Sequence, residues 1–239
     1  MPTHPVSPDT PTILIAGASR GLGQAMAAEF LKHDWRVIGT VRDGATPTPL
    51  HGLLDGSEGR LDIEVLDINQ PEQIAALHDR LAGRRLDILF VNAGTTTEDQ
   101  MALVGEVSQD EFIRVMVTNA LGPMRVIDGL HDLVPATGLI GAMSSGQGSL
   151  TSNESGLREV YRSSKAALNM FLRSFAARPS ESQRASVLMA PGWVRTDLGG
   201  PDGRLSIDES VPNLVNVLLQ KRGKPGLEYL DYRGRTVPW

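Results

Sequence analysis

Continuous apolar runs that stop at glycine or a polar turn alternate along this chain with stretches whose apolar positions recur every three or four residues. Thr12-Ile13-Leu14-Ile15-Ala16 is the first such run and ends at Gly17. A short, continuous, β-branched segment of this kind reads as a strand covered on both faces. From Leu22 to about His33 the apolar residues Leu22, Met26, Ala27, Phe30 and Leu31 return at helical spacing, and Trp35 to Val41 is again a strand. The alternation continues with a strand over Ile63 to Leu66, a helix from about Pro71 to Leu81, a strand over Leu86 to Val91 and a helix from about Ser108 to Leu130. There follow a strand over Leu139 to Met143, a long helix over about Glu159 to Ala177, a strand over Ser186 to Ala190, a helix over about Glu209 to Leu219 and a last short strand near Glu228 to Leu230. Ser108 with Glu111 three residues on predicts a capping box opening its helix.

Strands separated by helices imply a parallel sheet with right-handed crossovers. The expected fold is therefore α/β: one doubly wound domain over residues 12–239, with a mostly or wholly parallel seven-stranded sheet flanked by helices. The 239 residues suit a single domain, and no repeat, heptad or composition shift marks a boundary. Met1 to Pro11 holds four prolines and lacks the apolar run of a signal peptide, so it is expected to be a flexible leader.

Composition narrows the function classes. A formal net charge of -5 with five scattered histidines offers neither a basic stripe for nucleic acid nor a metal cluster, so a nucleic-acid partner and a metal site are not expected. The chain has no cysteine, which suits a reducing, cytoplasmic setting, and no stretch approaches the roughly 18 apolar residues of a membrane span.

In a doubly wound sheet the chemistry sits just beyond the carboxyl ends of the strands. Gly17-Ala18-Ser19-Arg20-Gly21-Leu22-Gly23 lies between the first strand and first helix, where backbone N–H groups and the helix dipole meet a pyrophosphate; a glycine turn serving only packing is the plainer alternative. The second strand ends Thr40-Val41-Arg42. A neutral residue where an acid would bind a ribose 2′-hydroxyl, followed by Arg42 and with Arg20 nearby, favours a 2′-phosphate and hence NADP(H) over NAD, unless Arg42 is a solvated surface charge. Asp67 after the third strand could accept from an adenine amino group, with Ile68 against the ring, or cap the next helix. Asn92-Ala93-Gly94 after the fourth could hold a ribose or only end the strand.

Tyr161 and Lys165 stand one helical turn apart, so their side chains leave the same face and the cation favours the phenolate of a group whose ordinary pKa is near 10. Ser144 and Ser145 follow the fifth strand, bringing a hydroxyl to the same sheet edge. Asn119 sits among apolar residues of its helix, either buried and needing partners or on a polar face. Pro191-Gly192-Trp193-Val194-Arg195-Thr196 follows the sixth strand, where a loop could touch a nicotinamide carboxamide through Thr196, or form an ordinary Pro-Gly turn. Thr95 to Gly105 and Leu198 to Ser206 are expected to border a substrate pocket.

Taken in order, Gly17/Gly21/Gly23, Asn92-Ala93-Gly94, Asn119, Ser145, Tyr161/Lys165 and Pro191/Gly192/Val194/Thr196 resemble the pattern of the short-chain dehydrogenase/reductase family, from about Thr12 to the C-terminus. Tyr161-Arg162-Ser163-Ser164-Lys165, Pro191-Gly192-Trp193-Val194-Arg195-Thr196-Asp197 and the ending Asp231-Tyr232-Arg233-Gly234-Arg235 through Pro238-Trp239 look more like its C-factor and sniffer-type carbonyl reductase branch. Ala16 and Val91 depart from the pattern, replacing its usual threonine and first asparagine. The resemblance implies a Rossmann fold and an NADP(H)-dependent oxidoreductase acting on a small carbonyl or secondary alcohol. In it Tyr161 is the general acid/base, Ser145 (or Ser144) binds the carbonyl oxygen, Lys165 holds the ribose and lowers the tyrosine pKa, and Asn119 relays protons through water. It also implies a homodimer or homotetramer, for which the apolar helix surfaces around Val115 to Met124 and Leu168 to Phe175 are available if they are not core. A dinucleotide-binding signalling or regulatory protein with little turnover is the other function such a sequence allows.

Overall fold

The computed structural model describes residues 10–239, so the expected leader lies almost wholly outside the described residues. Seven strands, β1 (Thr12–Ala16), β2 (Arg36–Val41), β3 (Leu61–Val65), β4 (Ile88–Val91), β5 (Leu139–Met143), β6 (Ala185–Ala190) and β7 (Gly226–Asp231), form one sheet in the order β3-β2-β1-β4-β5-β6-β7. Every pairing is parallel. The reason lies in the strands themselves: β1, β4, β5 and β6 are buried along their whole length, and their alternate residues feed two different cores. Ile13 and Ile15 of β1 with Ile88 and Phe90 of β4 face α1 (Gly21–Lys32) and α6 (Ile207–Lys221). Leu14, Ala16, Leu89 and Val91 face α2 (Pro71–Arg80), α4 (Gly122–Leu130) and α5 (Glu159–Ala176). The chain runs outward from β1 to β3 and then returns to the other side of β1 as β4, which leaves a crevice at the carboxyl ends of β1 and β4.

Several expected boundaries move. The helix expected over Ser108 to Leu130 is α3 (Gln109–Met116), a π-helical turn (Val117–Leu121) and α4. Pro123 is the cause: it has no N–H for the Asn119 carbonyl, and the ladder widens there to absorb the loss. The capping box expected at Ser108 is half made. Ser108 Oγ accepts from the Glu111 N–H at 3.2 Å, but the Glu111 carboxylate turns to the Glu98 N–H at 2.6 Å. A full box forms instead at Ser206 and Glu209, which opens α6 two residues earlier than expected. β3 starts at Leu61, ahead of the expected Ile63, because it need only pair with the edge of β2 and its own residues are half exposed.

Among the described residues no helix is long and apolar enough to cross a membrane. The two helix surfaces considered for self-association divide between core and surface: Val115, Leu168, Leu172 and Phe175 are buried, while Leu121, Met170 and Phe171 remain exposed.

Candidate active site

The carboxyl ends of the central strands open onto a cleft of about 1020 Å³, and apart from Ala18 and Gly23 of the glycine loop the residues singled out for a cofactor line it. The glycine loop forms one wall. Gly17 has φ +89°, and a Cβ there would lie 2.7 Å from the backbone of Ala93; one at Gly23 would strike the Gly17 carbonyl oxygen. These two glycines seat the loop on the end of β4. Gly21 differs: at φ +58° its missing Cβ would face open cleft, with only the Thr196 methyl 4.0 Å away. The Gly17 N–H donates to Thr40 Oγ1 at 2.9 Å and Asn92 Nδ2 donates to the Gly17 carbonyl at 2.7 Å, so the strand-ending asparagine braces the loop.

Helix α1 begins at this wall with no side-chain cap from Arg20 and no acid in its first turn. Its free N–H groups and positive dipole end point at the space beside Gly21, a fit for a pyrophosphate. Arg20 and Arg42 both line this end. They do not stand equally free, because Arg20 Nε reaches Asp197 across the cleft mouth at 3.3 Å. That pair is largely exposed, so it holds Arg20 only weakly. Asp67 caps no helix: its carboxylate accepts from the Asn69 N–H at 2.9 Å while Gln70 opens α2. Ile68 lines the same end from a nearly buried position.

At the other end, Tyr161 and Lys165 leave α5 side by side, both buried. Lys165 Nζ donates to the Met143 carbonyl at 2.9 Å, and burial pulls its pKa down to about 8. Burial pushes the Tyr161 phenol above the ordinary tyrosine range; the Ser145 hydroxyl and the Arg158 guanidinium beside it act in the opposite sense. The cation nearest the ring is Arg158, its guanidinium carbon 4.7 Å from the ring centroid against 5.9 Å for Lys165 Nζ. The expected lowering of the tyrosine pKa by Lys165 is not what sets it in this structure: burial raises it, and Ser145 and Arg158 are the groups that pull it down.

The two serines separate. Ser144 Oγ donates to Asn169 Oδ1 at 2.6 Å and is spent there. Among the described residues Ser145 Oγ accepts only from the Gln147 N–H, at 3.2 Å, and its hydroxyl faces the space beside Tyr161. The Tyr229 hydroxyl donates to the Ser145 carbonyl and fixes the turn from β7.

Asn119 is fully buried, so the polar-face alternative falls. It lies outside the cleft lining: Oδ1 accepts from the Thr95 N–H at 2.7 Å, and Nδ2 donates to the Thr95 carbonyl at 2.8 Å and Ser164 Oγ at 2.9 Å. Its amide is used to fix the segment after β4. The segment from Pro191 is more than a Pro-Gly turn. Thr196 Oγ1 accepts from the Gly199 N–H at 3.0 Å, Trp193 Nε1 donates to the Gly199 carbonyl at 2.7 Å, and Ser210 Oγ holds the Pro191 carbonyl at 2.7 Å.

Sequence reasoning passed over Thr40, Arg158, Asn169 and Tyr229. Arg158 had a signal in standing directly before α5, three residues ahead of Tyr161, and Asn169 had one in following Lys165 by a helical turn; Tyr229 had none, because its role arises from a contact between distant segments.

Such a fold, with an uncapped glycine-loop helix at one end of its cleft and a tyrosine, lysine and serine at the other, defines a dinucleotide-dependent oxidoreductase. The chain belongs to the short-chain dehydrogenase family, whose sequence pattern matches residues 11–204. A Burkholderia multivorans protein described as a short-chain dehydrogenase/reductase, crystallised with bound NADP, is 67% identical and superposes with a TM-score of 0.94 over 96% of this chain and 100% of its own. A carbonyl reductase of Pseudomonas aeruginosa in complex with NADP is 33% identical, with a TM-score of 0.89 over 97% of this chain and 100% of its own. The C-signal protein of Myxococcus xanthus is 35% identical over 156 residues, 64% of this chain and 93% of its own length. This places the chain on the C-factor and sniffer-like side of the family.

Proposed function

We propose that this protein is an NADP(H)-dependent carbonyl reductase in which Tyr161 is the general acid. The observation that carries the reading is the gathering of Tyr161, Lys165 and the free Ser145 hydroxyl at one end of a cleft whose other end holds the uncapped start of α1 and Arg42. NADP-bound relatives at 67% and 33% identity support the choice of cofactor.

When bound, the reduced nicotinamide supplies the hydride and leaves as the oxidised form. Ser145 donates a hydrogen bond to the carbonyl oxygen as negative charge develops on it. Tyr161, held protonated by burial, delivers its proton to that oxygen, and the carbonyl becomes an alcohol; the phenolate recovers its proton from solvent. Lys165, 5.9 Å from the ring, stabilises the phenolate left behind and reaches the ribose side of the cleft. The first turn of α1 holds the pyrophosphate, Arg42 takes the 2′-phosphate with Arg20 on release from Asp197, and Pro191 to Thr196 closes over the nicotinamide end. Asn119 serves by fixing Thr95 against the cleft. The exposed Leu121, Met170 and Phe171 support assembly as a homo-oligomer.

Replacing Tyr161 with Phe keeps the ring and removes the proton. NADPH oxidation with a panel of ketones, aldehydes and quinones should then fall by about 10²–10⁴, with NADPH affinity unchanged; undiminished turnover refutes the assignment. The match to C-signal supports a second reading as a nucleotide-binding signalling protein. Tight NADPH binding with no turnover on any carbonyl would select it.

A further inference from the structure

We infer that Arg158 forms a subsite for an anionic group of the substrate, a carboxylate carried within a few bonds of the reacting carbonyl. This rests on the reductase reading above and adds to it a class of substrate, oxo acids.

Arg158 lines the cleft directly beside Tyr161. Nε and Nη2 are shielded from solvent and have no hydrogen-bond partner among the described residues. These two nitrogens form the edge of the guanidinium whose parallel N–H groups match the two oxygens of a carboxylate, and the half-buried side chain turns to present that edge to the cleft. No carboxylate among the described residues compensates the charge; the ionisable groups that act on it are Tyr161 and a second cation, Arg162. A charged edge kept from water without an acceptor costs stability, and native proteins seldom keep one without a use.

The other charges lining the cleft near its reactive end are already committed. Arg114 donates to Thr95 Oγ1 and the Thr96 carbonyl, both at 2.9 Å. Asp197 pairs with Arg20, Asp231 pairs with Arg235 at 2.6 Å, and Lys165 bonds the Met143 carbonyl. Glu159, next along the chain, accepts from the Val104 N–H at 2.8 Å. Arg158 is thus the uncommitted charge at this end among the described residues. Three more cleft-lining groups share its condition: Gln147 Oε1, Thr96 Oγ1 and, further along the cleft, Asn69 Oδ1 are buried with no partner among the described residues. A carboxylate for Arg158 and a neighbouring polar group for Gln147 or Thr96 would complete the set at this end.

The backbone supports the placement. Gly156, Leu157 and Arg158 follow one another at φ +65°, +59° and +52°, and the latter two are bulky residues in a region that side chains disfavour. That turn brings the arginine onto the Tyr161 ring as α5 begins. Strain of this kind persists where surrounding structure enforces it, most often at binding sites. Because Arg158 lies on the phenol that protonates the carbonyl, the carboxylate it grips must be close along the substrate to that carbonyl. Pyruvate and levulinate are suitable probes of two spacings.

Isothermal titration of the NADP⁺ complex with butanoate and with butanamide tests the subsite without catalysis. Wild type should hold the carboxylate about ten- to a hundredfold more tightly, Arg158→Gln should bind the two alike, and Arg158→Lys should recover part of the preference. In turnover, kcat/KM for pyruvate or levulinate relative to its methyl ester should fall by a similar factor in Arg158→Gln, through KM, on top of whatever change in kcat the acid and the ester share through Tyr161. Equal binding of butanoate and butanamide by wild type, or parallel loss of acid and ester in Arg158→Gln, overturns the proposal. If wild type reduces no carbonyl at all, the reductase reading fails, and the calorimetry still decides whether Arg158 binds a carboxylate.

Discussion

Lys165 ends in a buried ammonium whose hydrogen bond goes to the Met143 carbonyl, and burial lowers its pKa from the ordinary 10.5 to about 8. Between those two values the unfolded chain holds a proton at this position that the folded chain has given up. Stability therefore rises with pH across that window, and the cost of the buried charge is fully present below about 8. In the cofactor-free protein, wild type should gain melting temperature relative to Lys165→Met on going from about pH 7 to about pH 9.5; parallel pH dependence of the two would mean that Lys165 titrates like a solvated lysine. Tyr161, Lys165 and Ser145 were legible before any coordinates because each follows from local spacing or from its place after a strand. The choice between Ser144 and Ser145 was not. It depends on Asn169, which lies on a helix twenty-five residues away and takes one hydroxyl out of play.

At the scale of elements, the segment from α3 through the π turn to α4 ties a helix to the loop beyond β4. Asn119 presents both halves of its amide to the N–H and carbonyl of Thr95. Asn119→Ala leaves both groups without partners in a buried setting and should destabilise the fold by about 1–3 kcal/mol for each group left unmet, read as a loss of melting temperature or denaturant midpoint. It should also raise KM for the carbonyl substrate, since Thr95 and Thr96 line the cleft. A stable variant with unchanged KM would show that the loop is fixed by other contacts. Hydrophobic periodicity predicted one helix here, because the apolar stripe runs through the π turn almost in phase. The break was signalled by Gly122-Pro123, a backbone effect to which a pattern of side chains is blind.

For the whole molecule, the cleft joins segments separated by most of the chain, from Gly17 in the first loop to Arg235 near the end. A ligand that bridges them stabilises the folded state in proportion to its affinity, by about 2.7 kcal/mol at a hundredfold excess over Kd. NADPH should raise the melting temperature more than NADH at equal concentration, and Arg42→Asp should abolish most of that difference; equal loss with both nucleotides would remove Arg42 from the phosphate site. What the amino-acid order determined alone was the alternation of strands and helices, the parallel doubly wound sheet, and the positions just beyond strand ends that line the cleft, because these depend on periodicity and on glycine and proline acting locally. What only the tertiary structure decided was which of two adjacent serines is free, that Asn119 braces a loop, and that Arg158 lies on the Tyr161 ring with no partner for its Nε and Nη2 among the described residues. Those facts turn on where hydrogen-bond partners from distant segments come to rest, and no local pattern encodes the arrival of a partner from elsewhere in the chain.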